Sequence, residues 1–170
     1  MNSDIYYQSL LSEISAEDIV EGYDLFKNID SLDSFGQTLL LASCVKQQLE
    51  NVRYCLKLGA NPNFVDECGE APLHSVIDTA SYNEKTSLEI ISLLLNAGAD
   101  IELRAYMDKT PFLRACGRNC FSVIKLLVSS GCNVSAKTTD LGGEFDAVFF
   151  ARVFELDEEI REYVGKLSRS

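Results

Sequence analysis

The chain has 170 residues, 46% of them hydrophobic, and a formal net charge of -11. That apolar share excludes a disordered chain and supports one domain with a real core. The negative charge repels phosphate backbones and excludes nucleic acid as a natural partner.

In chain order, the N-terminus MNSDIYYQSLLSEIS has no basic start, apolar run or cleavage site, so no export signal is expected and a cytoplasmic protein is. Apolar runs such as Thr38 to Val45 are too short to span a membrane. Residues 4–12 and about 16–28 read as two helices, the second opening at Ser15-Ala-Glu-Asp18, which is shaped like a capping box. Its face of Ile19, Val20, Tyr23 and Phe26 would cover the neighbouring unit, making 1–32 a helical cap.

Three segments then align: Gly36-Gln-Thr38-Leu-Leu-Leu-Ala, Gly69-Glu-Ala71-Pro-Leu-His-Ser and Asp108-Lys-Thr110-Pro-Phe-Leu-Arg. Each leads through an apolar helical run to a glycine stop, in LGANPN, AGADIE and SGCNVS. The units span 33–65, 66–104 and 105–137, the middle one carrying an insertion. Thr38 and Thr110 are placed to cap a helix, and Pro72 and Pro111 to stand just inside it, where a missing N–H costs nothing. Second helices show apolar faces at helical spacing: Leu49, Val52, Cys55 and Leu56; Leu88, Ile91, Leu94 and Leu95; Phe121, Ile124, Leu127 and Val128. Gly59, Gly98 and Gly131 end them. Residues 138–170 read as a degenerate closing unit. Phe145 to Arg152 echoes the first helix, with Asp146 in the proline position, and Glu155 to Leu167 forms a charged last helix.

Asp-x-x-Gly-x-Thr-Pro-Leu-His, then Val-x-x-Leu-Leu, then Gly-Ala-Asp resembles the ankyrin repeat. The resemblance covers roughly Asp33 to Lys137. It implies an all-α solenoid of helix-turn-helix units with short hairpin loops: three clear repeats between degenerate caps. It also implies that His74, the sole histidine, ties neighbouring loops together and is not catalytic. The other units have Leu41 and Leu113 in its place.

Six cysteines lie at irregular spacing, without the paired pattern of a metal site. Reduced thiols in core slots are expected, with exposure only at Cys68 and Cys120. No motif for a phosphate loop, a metalloprotease or a nucleophile elbow occurs. The chain therefore reads as no enzyme, with no cofactor and no metal.

In the resembled family, partners dock on hairpin tips and first helices. By alignment the tips here are Ser34, Phe35 and Gln37; Glu67, Cys68 and Glu70; Tyr106, Met107 and Lys109; and Leu141 and Glu144. Val45, Lys46, Asp78, Thr79, Gly117 and Arg118 extend the face along the first helices. Phe35, Tyr106, Met107 and Leu141 make a row of apolar residues in slots that are often polar, which points to a binding patch. The alternative is that some of them pack between repeats. Tyr82 and Glu84 mark the insertion, which either carries function or only lengthens a helix.

The leading expectation is a protein-binding module, monomeric when alone, resembling bacterial immunity proteins that occlude a secreted toxin. Acids at the tips would meet a basic cleft. A regulatory or scaffold protein, including an effector delivered into a host cell, is the alternative. A thiol sensor built on Cys68 and Cys120 is the third.

Overall fold

A computed structural model describes residues 28–33, 35–140 and 142–168. The two N-terminal helices of the expected cap lie outside these residues, as do Ser34 and Leu141.

Four helix pairs are arranged in order: α1 (Leu39–Val45) with α2 (Leu49–Lys57), α3 (Pro72–Thr79) with α4 (Glu84–Asn96), α5 (Pro111–Ala115) with α6 (Phe121–Ser129), and α7 (Ala147–Val153) with α8 (Glu158–Leu167). First helices stack on one another, α1 on α3, α3 on α5 and α5 on α7, while α2, α4 and α6 form a second layer. The architecture is a helix-turn-helix solenoid. The only described sheet is one short antiparallel hairpin, β1 (Lys137–Thr138) with β2 (Phe145–Asp146), in the register Lys137 to Asp146 and Thr138 to Phe145.

The boxes explain where the first helices begin. Thr38 and Thr110 accept hydrogen bonds from the amides of Leu41 and Leu113 through their hydroxyls. Pro72 and Pro111 occupy the first turn. Behind them Leu40, Leu73 and Phe112 are buried between neighbouring units, each contributing on the order of 2 kcal/mol of transfer free energy. Gly59, Gly98 and Gly131 stand at φ of +85°, +90° and +88°, the left-handed conformation that lets the next amide reach back into the last turn. Ala60 bonds to Cys55, Ala99 to Leu94, and Cys132 to Leu127.

After each stop comes an Asx turn that links the units. Asn28, Asn61, Asp100 and Asn133 each accept the amide two residues on. The side chain at that second position then accepts the amide of the next unit's Asx residue. Asp30 takes Asn61, Asn63 takes Asp100, and Glu102 takes Asn133, at 2.9, 2.7 and 2.6 Å. Residues 28–30 thus join the first full repeat through the same turn that joins the full repeats to one another.

Two details differ from expectation. Asp146 takes the threonine position, not the proline one: it is the N-cap of α7 and accepts the Phe149 amide at 2.9 Å. The final hairpin is longer than the earlier ones, which shifts the register. The last helix begins at Glu158, not Glu155, because Glu155 adopts φ +50° to close α7. The insertion lengthens a helix: α4 has 13 residues where α2 and α6 have 9.

Candidate functional site

The hairpins are held by aspartates. Asp33 Oδ1 accepts the amides of Phe35 and Gln37, both at 2.9 Å, and Asp66 Oδ1 those of Cys68 and Glu70, at 2.9 and 2.8 Å. A tip fixed in this way presents Phe35 to solvent, 71% exposed, and exposes Glu67 and Cys68. Gln37 is half-buried.

The third hairpin has Ala105 where the aspartate would be, and it is built differently. Residues Tyr106–Asp108 form a 3-10 turn with Met107 and Asp108 at positive φ. Arg104 closes it by donating to the Asp108 carbonyl and carboxylate at 2.8 and 2.7 Å. Tyr106 is 51% exposed, and its amide donates to the Gly69 carbonyl at 2.7 Å. Met107 is half-buried and so is no exposed anchor; its carbonyl accepts the Thr138 hydroxyl at 2.9 Å.

Lys109 is not a surface tip either. It is only 7% exposed, with its ammonium 4.2 Å from the Phe150 ring centroid and 5.9 Å from that of Phe154. Burial, reinforced by Arg114 and Arg118, lowers its pKa. Two expected binding acids are likewise engaged within the fold. Arg114, almost fully buried, donates through Nε to Asp78 at 2.8 Å and through Nη2 to Asp78 and to Glu70, the last at 2.9 Å. Arg118 adds a contact to Asp78 at 2.9 Å. Glu144 pairs with Lys137 at 2.8 Å. Among the acids expected to meet a partner, Glu67 and Glu84 are exposed and make no ion pair among the described residues.

His74 is fully buried, and its Nε2 lies 3.0 Å from the Lys109 carbonyl in the next unit. A carbonyl only accepts, so Nε2 carries the proton and Nδ1 is left bare and without a partner. Burial, with Arg114 nearby, drives the imidazole pKa down to about 4 against the opposing effect of that hydrogen bond. This is the loop-to-loop tie expected of it.

Tyr82, 87% exposed, and Glu84 sit at the turn between helices. They lie between the two helices of their unit, not at a hairpin tip: Tyr82 falls between α3 and α4, and Glu84 is the first residue of α4. Cys120 is buried, at 5% exposure, which overturns its expected accessibility and removes the two-thiol sensor. Burial raises its thiol pKa and pushes Cys55 and Cys132 up to about 12.

Sequence reading missed Arg114 and Phe154. Both carried a signal. Arg114 fills a slot that holds Ala42 and Ser75 in the earlier units, and Phe154 a slot that holds Lys46, Thr79 and Arg118. Phe154 is 49% exposed and lies against Gly117, where an added Cβ would be 3.3 Å from its ring.

A sequence profile described as ankyrin repeats (3 copies) matches residues 10–105, and one described as ankyrin repeat matches 107–139. The chain belongs to the ankyrin-repeat family. Ankyrin repeats form an interaction fold that generally binds protein partners and is not enzymatic. Relatives include a putative ankyrin repeat protein of Rickettsia bellii, 35% identical over 103 residues, which are 61% of this chain and 30% of the relative. Another from Acanthamoeba polyphaga mimivirus is 31% identical over 80 residues, covering 46% and 48%. The human transient receptor potential cation channel subfamily A member 1 matches at 24% over 128 residues, 75% of this chain and 11% of the channel. The chain thus spans about a third of the Rickettsia protein and a ninth of the channel. Among the described residues, no helix is long and apolar enough to cross a membrane.

Proposed function

We propose that this ankyrin-repeat chain binds a protein on the face made by its hairpin tips and first helices, with aromatic side chains as anchors. One observation carries the reading: Phe35, Tyr106 and Phe154 are 71, 51 and 49% exposed on a backbone held by hydrogen bonds within and between hairpins. Exposed aromatics on a preorganised surface are the side chains that dominate interface energies.

In its specific form, occupancy of this face occludes the partner, a toxin or effector domain, as an immunity protein would. The net charge of -11 supports attraction of a basic domain. The pairing of Glu70 and Asp78 with Arg114 moves the weight of binding from acids to aromatics. A regulatory or scaffold role uses the same face without inhibition.

The test is affinity capture from the source organism with the unaltered chain and with the Phe35→Ser, Tyr106→Ser double variant. A stoichiometric protein retained by the first and lost by the second supports the face. Equal retention by both overturns it. The captured protein's own activity, assayed with and without the chain, then separates inhibitor from scaffold.

A further inference from the structure

The centre of the proposed face is cationic, although the whole chain is acidic. Residues 108–137 carry Lys109, Arg114, Arg118, Lys125 and Lys137 against a single acid, Asp108. Arg114 and Arg118 share only two carboxylates, Glu70 and Asp78, and Lys109 stands close enough to both arginines for their charges to act on it.

These three cations are not equally satisfied. Arg114 is engaged by both acids. Arg118 uses Nη2 for Asp78 and Nη1 for the Gly117 carbonyl at 3.2 Å, and 39% of its side chain remains exposed. A guanidinium has five N–H donors, so several still point to solvent. Lys109 has no carboxylate within ion-pair distance among the described residues; its company is the rings of Phe150 and Phe154. Ring faces return about 0.5–2 kcal/mol to a cation, and although the Lys109 stem is buried its ammonium is not among the buried atoms left without a partner, so it keeps contact with solvent.

Phe154 joins the two incompletely satisfied cations. Its ring faces the Lys109 ammonium, and it packs on Gly117, the neighbour of Arg118. We infer that Lys109 and Arg118 together bind a carboxylate side chain, Asp or Glu, presented by the protein partner, with Phe154 and Tyr106 holding apolar residues beside it. Asp78 fixes Arg118 in advance, so little side-chain freedom is lost when the carboxylate arrives. The lowered pKa of Lys109 comes first from burial of its stem and then from Arg114 and Arg118 beside it. The inference rests on the face proposed above and names the chemistry of what it takes.

The experiment uses the full chain and a phage-displayed library of random dodecapeptides as the probe. Selected peptides are measured against the unaltered chain, Lys109→Met, Arg118→Gln and Phe35→Ser with Tyr106→Ser. The expected peptides carry Asp or Glu beside an apolar residue. Their affinity falls about thirtyfold or more in Lys109→Met, and equally on changing the peptide's acid to its amide. The melting temperature of Lys109→Met should hold or rise, which separates lost binding from lost folding. Peptides that need Phe35 and Tyr106 but no acid, or that ignore Lys109→Met, would sink the carboxylate site and leave the face standing. No selected binder, or binders indifferent to every variant, would overturn both.

Discussion

Two junctions in the stack share a backbone and differ in chemistry. Between the first and second units the contacting first-helix slots hold Leu41, Val45 and Ser75, side chains without formal charge. Between the second and third the same slots hold His74, Asp78 and Arg114: His74 bonds to the Lys109 carbonyl, and Arg114 pairs with Asp78 and with Glu70. The first junction buries Leu41 completely at these slots and adds, away from them, the Gln47 side chain donating to the Thr79 carbonyl and a half-exposed Arg53–Glu89 ion pair at 3.6 Å. The polar junction does something more directional. It fixes one hairpin on the next through His74 and the Gly69 carbonyl, and it gathers cations at the centre of the exposed face.

The strongest way to break the comparison is to remove Arg114. Arg114→Ala leaves Asp78 and Glu70 without their main partner, a loss of about 3 kcal/mol and roughly 10 °C in melting temperature. Replacing Asp78 by Val and Arg114 by Ser together copies Val45 and Ser75 into the polar junction. Thermal melts followed by circular dichroism should show most of the loss recovered, because Asp78 is no longer stranded, and Glu70 and Arg118, which lose their partners, are partly exposed and turn to solvent. A double variant no more stable than Arg114→Ala would mean that the two junctions are not interchangeable.

Acid should act on the polar junction through His74. The His74 pKa lies near 4 in the folded chain, below its ordinary 6.5. Between those values the unfolded state binds more protons, so stability is full above about 6.5, falls as pH drops, and has lost its whole His74 share by about 4. The share is at most roughly 3 kcal/mol. Urea unfolding at pH 7, 5.5 and 4.5 measures it, with His74→Leu, the residue type of the neighbouring units, as the control. Equal slopes in the two proteins would show that the imidazole does not carry the effect.

This contrast explains what could be read in the sequence. Thr38, Thr110 and the glycine stops were legible because caps and left-handed turns are local and repeat at fixed spacing. So was His74, since its box sits in register with the others. The candidate face was legible only in part. Phe35 and Tyr106 are exposed as expected, but Lys109, Met107 and Cys120 are not, because their burial depends on Phe150, Thr138 and the packing of the next unit. Glu70 and Asp78 count as binding acids until Arg114, 44 and 36 residues away, is seen to engage both. Contacts of that range arise from stacking, which no single unit records.

A smaller effect separates backbone approach from backbone conformation. Gly69 has φ +78°, and a Cβ there would stand 3.2 Å from the Tyr106 backbone at the polar junction. Gly98 has φ +90° with open space around it. Gly98→Ala should cost about 1 kcal/mol from conformation alone, and Gly69→Ala about 2 because the hairpins must also part. Equal losses in chemical denaturation would mean that the hairpin contact contributes nothing.

The smallest expected change is a gain. The second unit lacks the hydroxyl that caps the first helix in the units on either side, for Ala71 stands where Thr38 and Thr110 accept an amide. All three positions are buried, so a threonine already fits this slot on both sides of the second unit. Ala71→Thr should therefore bond the His74 amide and add about 1 kcal/mol. If stability falls instead, the extra methyl and hydroxyl do not fit beside the charged side chains of the second unit. The polar junction would then be the more tightly packed of the two, and the alanine would reflect crowding beneath Glu70 and Arg114.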